Sequence, residues 1–316
     1  MAMKLIEGFD DNLFAQRGWS AMQLAAGRFG GNAGQAIFFG NPYYPFPVAI
    51  TGTLVVGVAC FFSVSPPYAN MLTVGPIVLK TNISGNVTLN NGATLVATSA
   101  ANPFVAPNVW RYIEVKYLMA TGACTVRCDG VTITSGTVAT AASVSTIGYG
   151  LGNGNSGNLL WDDIYVLDGT GTTNNDFLGD VRVQTLYPNG DGSNSGLTTS
   201  SGSTHNTLVN ETTPNTTTYV YGTTSGLKDT YAFQDLDANT ANVFAVETAH
   251  YSHKDAVGSV GFSNVARVGS TDYVATAQPL SVSWTTNRDI WETNPATGVA
   301  WAPSDVNSAE FGVQTS

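Results

Sequence analysis

Charged residues are scarce in this sequence. They make up 11% of its 316 residues, against roughly a quarter in typical globular domains. Twelve are basic and 22 are acidic, which gives a net charge of −10. Binding to nucleic acid or to an anionic membrane depends on clustered Lys and Arg. We therefore expect neither partner, and no cofactor-binding loop or metal-ligand cluster points to a cofactor.

Cysteine is scarce as well, which excludes a disulfide framework. Cys124 and Cys128 lie four positions apart on one expected strand, so about 13 Å separates them. A disulfide needs Cα atoms within about 7 Å. We expect Cys60, Cys124 and Cys128 to be ordinary thiols. The alternative is that one of them reaches a cysteine of a neighbouring chain, so Cys124 and Cys128 remain interface candidates.

Long apolar and helical segments are also missing. The N-terminus MAMKLIEGFDDN has no apolar core typical of a signal peptide, so we expect synthesis in the cytoplasm without cleavage of a signal. The longest apolar window, Pro47 to Val64, is interrupted by Thr51, Gly52 and Gly57. Its Val, Ile and Phe content favours buried strands over a membrane helix. Between Asn12 and Ala26 we expect no more than a short helical turn.

What the chain does contain is short runs with a period of two, separated by Gly, Asn and Asp, which predicts an all-β fold. In Trp110–Leu118, Ile113 and Val115 alternate with charged residues, as in a half-buried antiparallel strand. The strands expected in the first half are Ala36–Phe39, Thr53–Val64, Ile77–Thr81, Val87–Leu89, Trp110–Leu118, Cys124–Cys128, Thr146–Tyr149 and Leu159–Leu167. Those expected in the second half are Val181–Leu186, Thr217–Tyr221, Asp229–Phe233, Val243–Tyr251, Ser259–Ala266, Leu280–Trp284 and Glu310–Val313.

The segment Trp161–Asp180 divides the chain. Its first part reads as a strand that ends at Asp168–Gly169, and a Gly/Thr/Asn tract follows as a loop. This predicts one domain over residues 1–170 and a second over 171–316. Within the second domain, residues 190–218 are polar throughout most of their length and predict a long exposed loop.

Several motifs of the first half resemble the laminin-G-like, concanavalin-like jelly roll. They are GFD at Gly8–Asp10, GRFGGNAGQAIFFG at Gly27–Gly40, VWRYIEVKY at Val109–Tyr117, CDG at Cys128–Gly130 and the closing WDDIYVLDGTG. The second half resembles a β-sandwich module of tailed-bacteriophage structural proteins, through Phe177–Gly192, Lys228–Leu236 and Trp291–Val313. The resemblance implies an N-terminal jelly-roll sandwich and a smaller antiparallel β-sandwich in a phage virion protein.

A search for catalytic residues finds no convincing set. The related jelly-roll glucanases use two carboxylates on one strand face. Asp162 and Asp163 are adjacent and should point to opposite faces, so we expect no enzyme. Asp163 and Asp168 are the better candidates for a calcium rim, which some laminin-G-like domains carry. The run Asp235–Glu247 starts like an EF-hand loop, but Thr240 stands where the turn requires Gly.

The histidines and the nucleophile motifs give no site either. On a strand, His250 and His253 should lie on opposite faces, and His205 stands alone in the polar stretch. No G-x-S-x-G sequence is present. The glycine-rich run Gly148–Asn158 has no Lys-Ser/Thr and predicts a flexible turn.

Aromatic residues are the remaining candidates, because aromatic side chains bind sugars and anchor protein interfaces. Trp284, Trp291 and Trp301 lie close together in the sequence, and core packing is the default for them. Trp291 and Trp301 are nevertheless kept as interface candidates. The loop expected at Asn41–Pro47 is the better contact surface, through Tyr43, Tyr44 and Phe46.

Together, these features predict a non-enzymatic accessory protein on the surface of a tailed-phage virion, as a capsid decoration, a neck or collar spike or a tail-fibre component. It would act by adhesion to other virion proteins, and to copies of itself in a homotrimer. The alternative is a carbohydrate-binding receptor module of a tail fibre, with surface glycans as partners.

Overall fold

The computed structural model describes residues 2–36, 42–63, 70–148, 159–255 and 258–316. The fold is all-β, as the sequence predicts, and its sheets are antiparallel. The chain forms two compact units, which we call unit 1 and unit 2. Unit 1 comprises Met1–Asp10 and Arg17–Val183, and unit 2 comprises Asp11–Gln16 and Gln184–Ser316. The division expected at residue 170 stays a prediction.

Unit 1 contains fourteen strands among the described residues. They are β1 (Met3–Glu7), β2 (Met22–Ala26), β3 (Asn32–Ala36), β4 (Tyr43–Ile50), β5 (Thr53–Phe62), β6 (Asn70–Val74), β7 (Ile77–Thr81), β8 (Val87–Asn91), β9 (Thr94–Thr98), β10 (Trp110–Leu118), β11 (Ala123–Cys128), β12 (Val131–Thr137), β13 (Val144–Gly148) and β14 (Leu159–Leu167).

These strands form two facing sheets. One runs β12-β11-β10-β5-β14-β3-β2, with β1 paired to β14, and the other runs β4-β13-β6-β7-β8-β9. The central strand β5 is buried along almost its whole length, which explains its continuous apolar sequence. The two sheets are joined at one end, where Ser20 bridges to Tyr43. Trp161 links them through the core, since its indole N–H donates to the Met71 carbonyl at 3.0 Å.

Three expected strands of unit 1 have the bounds that the sequence predicts, namely β7, β10 and β14. The strand expected at Ala36–Phe39 lies almost wholly outside the described residues, as does the turn Gly148–Asn158. No helix forms within Asn12–Ala26, where residues 14–18 form a turn and β2 occupies the end of the segment. Of the loop expected at Asn41–Pro47, Asn41 lies outside the described residues, and residues 43–47 are instead the start of β4. Its prolines are tolerated because β4 is an edge strand.

Unit 2 is built on one larger sheet and two ribbons. The sheet runs β15-β18-β24-β20-β21, with β22 paired to β20, and the ribbons are β16-β17 and β19-β23. The strands are β15 (Pro188–Ser195), β16 (Thr198–Thr199), β17 (Val220–Tyr221), β18 (Lys228–Phe233), β19 (Val246–Ser252), β20 (Gly261–Val268), β21 (Thr271–Val274), β22 (Gln278–Pro279), β23 (Thr285–Trp291) and β24 (Glu310–Thr315). A 3-10 turn spans Asn206–Leu208, and the helix α1 spans Pro303–Ser308.

Three expectations for the second half were wrong. Val181–Leu186 and Leu280–Trp284 are not strands, and the polar stretch 190–218 begins inside β15. β15 has the sequence PNGDGSNS, without any apolar or β-branched residue. It pairs with β18, and Glu310 accepts hydrogen bonds from the backbone and hydroxyl of Ser193 at 2.7 and 2.6 Å. Tertiary hydrogen bonds, rather than local preference, therefore make this strand.

The core of unit 2 gathers Ala266, Trp301, Val306, Ala309 and Phe311. No helix in the described part of the chain is both long and apolar enough to cross a membrane.

Candidate functional site

The expected contact surface around Tyr43 is mostly buried. Strand alternation turns Tyr44 and Phe46 into the core, where they are 1% and 7% exposed. Tyr44 packs against Trp19 with ring centroids 5.3 Å apart. Tyr43 points outward and is 49% exposed. Of these three interface candidates, only Tyr43 presents its side chain to solvent.

Cys124 and Cys128 are also core residues and not surface thiols. Both face inward from β11, together with Val126, and both are free thiols. Burial raises the pKa of Cys124 to about 12 and that of Cys128 to about 12. The thiolate is the species that forms disulfides. Neither residue is placed to reach a cysteine of a neighbouring chain while the strand stays folded.

Trp291 and Trp301 pack inside unit 2. Trp301 is 2% exposed and its indole N–H donates to the Trp291 carbonyl at 3.0 Å. Trp291 packs against the same core, and its indole N–H donates to the Thr248 hydroxyl at 3.1 Å. Trp301 is therefore a core residue. Trp291 is only partly buried, so its role as an interface candidate stays a prediction.

The calcium-rim candidates are engaged in ion pairs. Asp163 lies 3.4 Å from the Arg28 guanidinium and accepts the Val183 N–H at 2.8 Å. Asp168 lies 2.7 Å from the Lys4 ammonium. Although burial opposes the effect, Lys4 and Thr170 hold the pKa of Asp168 below its usual value. Within the described residues no group of three or more His, Cys, Asp or Glu side chains is placed to hold a metal.

Asp162 and Asp163 depart from simple strand alternation. The pairing of β14 with β5 shifts register between Asp162 and Tyr165, and Asp163 has a φ of +50°. This is a β-bulge, a place where Asp tolerates the left-handed conformation. Both carboxylates contact Arg28, because Asp162 accepts its backbone N–H at 2.8 Å. The argument that they point to opposite faces therefore does not hold.

A buried polar face lies on the sheet that contains β5, β10 and β14, and a glycine at position 57 makes room for it. Glu114 of β10 and Tyr165 of β14 are both paired with Gly57 of β5. A Cβ at Gly57 would lie far too close to the Tyr165 ring. Because there is none, the ring crosses β5 and its hydroxyl donates to Glu114 at 2.5 Å. The expectation that Glu114 faces solvent from a half-buried strand was wrong, since it is 0% exposed.

Residues 176–183, which we call the strap, bind to this polar face. The Gly179 N–H donates to Glu114 at 2.8 Å, and the Leu178 N–H donates to the Tyr165 hydroxyl at 3.1 Å. Phe177 lies under the Arg127 guanidinium, 3.9 Å from ring centroid to charge. The Asp180 carboxylate binds Arg28 through two hydrogen bonds of 2.6 Å each. The polar face is thus occupied within unit 1.

Unit 2 carries an aromatic cluster at its surface. We define the aromatic cluster as Tyr219, Tyr221, Tyr251, His253 and Trp284. Trp284 stacks on Tyr251 with centroids 5.3 Å apart and planes inclined by 28°. The ring centroid of Trp284 also lies 4.1 Å from that of His253 and 6.3 Å from that of Tyr219. The Tyr219 and Tyr221 ring centroids are 6.2 Å apart. The rings therefore form one contiguous group.

The end of one ribbon positions three members of this cluster. In the β19-β23 pair, Ser252 is opposite Thr285. The next residues outward, His253 and Trp284, therefore meet just beyond the last pair. Tyr251 and His253 are two positions apart and share a face. His250 lies on the opposite face, where its ring contacts Phe262 and Asn264, as strand alternation predicts.

The aromatic cluster is accessible and polar at its edges. Tyr219 is 37% exposed, Tyr221 is 41% exposed, and Tyr251 and Trp284 are half-buried. The three tyrosine hydroxyls have no hydrogen-bond partner within the described part of the chain. The exposed Asp255 carboxylate lies 3.7 Å from the His253 ring. Ring faces and unpaired hydroxyls are thus presented together.

The sequence reading missed this cluster because it grouped Trp284 with Trp291 and Trp301. Proximity in the sequence suggested that grouping, yet the structure separates Trp284 from both core tryptophans. The available signal was the alternation of Tyr251 and His253 in HYSHK. It places two ring-bearing residues on one strand face, but it does not identify Tyr219 or Tyr221, which come from a distant segment.

A buried carboxylate of unit 2, Asp229, holds part of the polar stretch in place. Asp229 of β18 is fully buried and accepts hydrogen bonds from the Tyr231 hydroxyl at 3.0 Å and the Leu197 N–H at 2.8 Å. The His205 ring nitrogen lies 2.6 Å from the same carboxylate. These contacts attach the polar stretch around Leu197 and His205 to the sheet.

No protein-family model matches the chain, and no curated protein matches it either. Among solved structures, domain 4 of an extracellular arabinanase from Geobacillus stearothermophilus, in complex with arabinotriose, is similar with a TM-score of 0.40 and 14% identity. That match covers 52% of this chain and 92% of the other.

Two proteins from Bacillus subtilis are similar as well. A protein of unknown function with a galectin-like fold has a TM-score of 0.41 at 10% identity, covering 53% of this chain and 96% of its own. A carbohydrate-binding module has a TM-score of 0.34 at 10% identity, covering 48% and 95%. TM-scores this low assign no function to the chain.

Proposed function

We propose that the protein is a non-enzymatic carbohydrate-binding protein, and that the aromatic cluster of unit 2 holds the sugar. The supporting observation is the contiguous stack of Tyr251, Trp284 and His253, with Tyr219 beside it. The C–H face of a pyranose packs on such rings, and its hydroxyl groups hydrogen-bond to their polar edges. Ligand sites combine aromatic walls with a few polar groups in this way.

Substitution of the central ring tests this proposal. Trp284→Ala removes the ring that Tyr251, His253 and Tyr219 all contact. An aromatic contact is worth about 0.5–1.5 kcal/mol beyond the apolar area that it buries, so we expect a loss of affinity of about tenfold. The full-length protein would be screened on an array of oligosaccharides, and the best ligand would then be titrated by calorimetry.

Tyr43→Ala is the matched control, since it removes an exposed aromatic side chain in unit 1. It should bind as tightly as the wild type. If no oligosaccharide on the array binds, or if the Trp284→Ala variant binds as tightly as the wild type, the aromatic cluster is not a sugar-binding site. Turnover of the ligand would instead indicate an enzyme.

We also propose, from the resemblance of the sequence, that this protein belongs to the surface of a tailed-phage virion, where it would be made in the host cytoplasm and assembled as a homotrimer beside other virion proteins. The low charge and the neutral polar composition support adhesion to such neighbours. Mass spectrometry of purified particles and a particle reconstruction would test it. We expect density at fixed symmetric positions, and absence of the protein from particles would refute the proposal.

A further inference from the structure

The five rings of the aromatic cluster lie in a row, and Trp284 is at its middle. On one side Tyr219 contacts Trp284, and Tyr221 contacts Tyr219. On the other side Trp284 contacts both Tyr251 and His253. From Tyr221 to Tyr251, the successive ring centroids are 6.2, 6.3 and 5.3 Å apart. Each step is comparable to the size of one sugar ring, so the row is longer than a monosaccharide.

Two ribbons fix the two ends of this row. Tyr219 and Tyr221 are two positions apart and share a face, as Tyr251 and His253 do on the other ribbon. The backbone of Tyr219 is held by Ser200, which accepts its N–H at 3.0 Å through the hydroxyl and donates to its carbonyl at 2.9 Å. The rings are therefore positioned before a ligand arrives, which lowers the entropic cost of binding.

The row is not flat. The ring planes of Tyr219 and Tyr221 are inclined by 61°, and those of Tyr219 and Trp284 by 63°. The surface of a crystalline polysaccharide is planar, and contact with it requires coplanar rings. A single chain in solution can turn between successive sugars and follow rings that are tilted. The tilt therefore favours a single soluble chain as the ligand.

Negative charge is concentrated in unit 2. Unit 2 contains 13 acidic and four basic residues, whereas unit 1 contains nine and eight. Almost all of the net charge of −10 therefore belongs to the unit that carries the aromatic cluster. A field of this sign repels a ligand that contains carboxylate or sulfate groups.

The four basic side chains of unit 2 are already engaged within that unit. Three form ion pairs with carboxylates, and the fourth donates to a backbone carbonyl. The pairs are Lys228–Asp272 at 2.7 Å, Arg267–Asp272 at 2.6 Å, Arg288–Glu247 at 3.6 Å and Lys254–Gly258. At the aromatic cluster itself, the exposed Asp255 carboxylate lies 3.7 Å from the His253 ring. An acidic sugar would meet this carboxylate and no uncommitted cation of unit 2.

We propose that the aromatic cluster binds a neutral oligosaccharide as a single chain of several sugars, with Trp284 under its centre and Tyr221 under one end. The proposal rests on the carbohydrate binding proposed above and adds the class of the ligand. Acidic glycans are disfavoured by charge, crystalline polysaccharides by the tilt of the rings, and free monosaccharides by the length of the row.

The charge of the ligand is tested with matched sugars. The full-length protein would be titrated with acidic oligosaccharides, such as oligogalacturonates, and with their methyl esters, which differ only in lacking the charge. We expect the tightest ligands on the array to be neutral. Wherever either form of a pair binds, the ester should bind about fivefold tighter at low salt, and the difference should narrow as salt is raised. A tightest ligand that contains a carboxylate or a sulfate overturns the proposal.

The length of the ligand is tested with Tyr221→Ala. Neutral cello-, xylo-, manno- and malto-oligosaccharides would be titrated, from the monosaccharide to the hexasaccharide. In the series that binds, affinity should rise with length until the row is covered. Tyr221→Ala should weaken the longest chain by about fivefold and leave the shortest ligand unchanged. Tyr221→Phe is the matched control, because it keeps the ring and should keep most of the affinity. Tyr221 is exposed, so both variants should fold, which circular dichroism checks.

The possible failures are distinguishable. If no oligosaccharide binds, the proposed function fails and the class of ligand fails with it. If a monosaccharide binds as tightly as the longest chain, or if Tyr221→Ala has the same effect at every length, only the class of ligand is wrong. Retention on microcrystalline cellulose that an excess of soluble chains does not reverse would also contradict it.

Discussion

At the scale of single residues, Asp162 is the group whose chemistry departs furthest from that of a surface carboxylate. It is 5% exposed and sits beside Asp163. Burial, and next the charge of Asp163, raise the pKa of Asp162 to about 7. Burial likewise raises the pKa of Asp163 to about 6, although the Val183 N–H and Arg28 oppose the shift. Unit 1 therefore holds ionised carboxylates at neutral pH at a cost in stability.

The pH dependence of stability should reveal this cost. A carboxyl whose folded pKa is raised contributes stability that is complete below its unfolded pKa of 3.8 and is lost as pH rises through the folded value. We expect the two carboxyls together to lower the free energy of unfolding of unit 1 by roughly 4 kcal/mol between pH 5 and pH 8. Urea denaturation at a series of pH values measures it.

Asp162→Asn separates this effect from other titrations. Asparagine cannot ionise, so the stability of the variant relative to the wild type should improve steadily as pH rises from 5 to 8. The variant loses one acceptor, for either Arg28 or Asp163, but that loss is constant with pH. His250 in unit 2, whose pKa burial lowers, titrates in both proteins and cancels. If the stability of the variant and that of the wild type changed in parallel with pH, the titration would not belong to Asp162.

At the scale of elements, apolar periodicity predicted the strands that pack in the core and missed those that hydrogen bonds create. β7, β10 and β14 alternate or run apolar, and their bounds agree with the sequence reading. β15 has no such pattern, because its register depends on Glu310 and Thr230 far along the chain. The strap was expected to lead into a strand at Val181, and it binds through its backbone to side chains instead.

The strap should be held mainly by Asp180. Its two hydrogen bonds to Arg28 form a bidentate pair, the strongest geometry for such a contact. Asp180→Ala removes both, and because Asp180 is partly exposed we expect a loss of about 1 kcal/mol. The amides of Gly179 and Val183, which donate to Glu114 and Asp163, should exchange several-fold faster with deuterium.

Asp176→Ala is the control for the strap. Asp176 is 60% exposed and forms a single pair with Lys116 at 3.1 Å. Exposed single pairs contribute little, so exchange at Gly179 and Val183 should stay near the wild-type rate. Equal acceleration by the two substitutions would mean that Arg28 does not anchor the strap.

At the scale of the whole molecule, the composition predicted the fold class but not the make-up of the units. Unit 2 includes Asp11–Gln16 as well as its C-terminal part. The Asn12 side chain donates to the Thr212 carbonyl at 2.9 Å and to the Thr213 hydroxyl at 3.1 Å. Contacts across some two hundred positions leave no local pattern. The aromatic cluster escaped sequence reading for the same reason, since its rings come from separate segments.

The distribution of thiols gives unit 1 a built-in reporter. Cys60, Cys124 and Cys128 are buried there, and unit 2 has no cysteine. Alkylating reagents attack the thiolate, which burial suppresses at all three positions. Modification must therefore wait for unit 1 to open. The rate at which the thiols of the native protein are alkylated therefore measures how often unit 1 opens, and the measurement needs no engineered label.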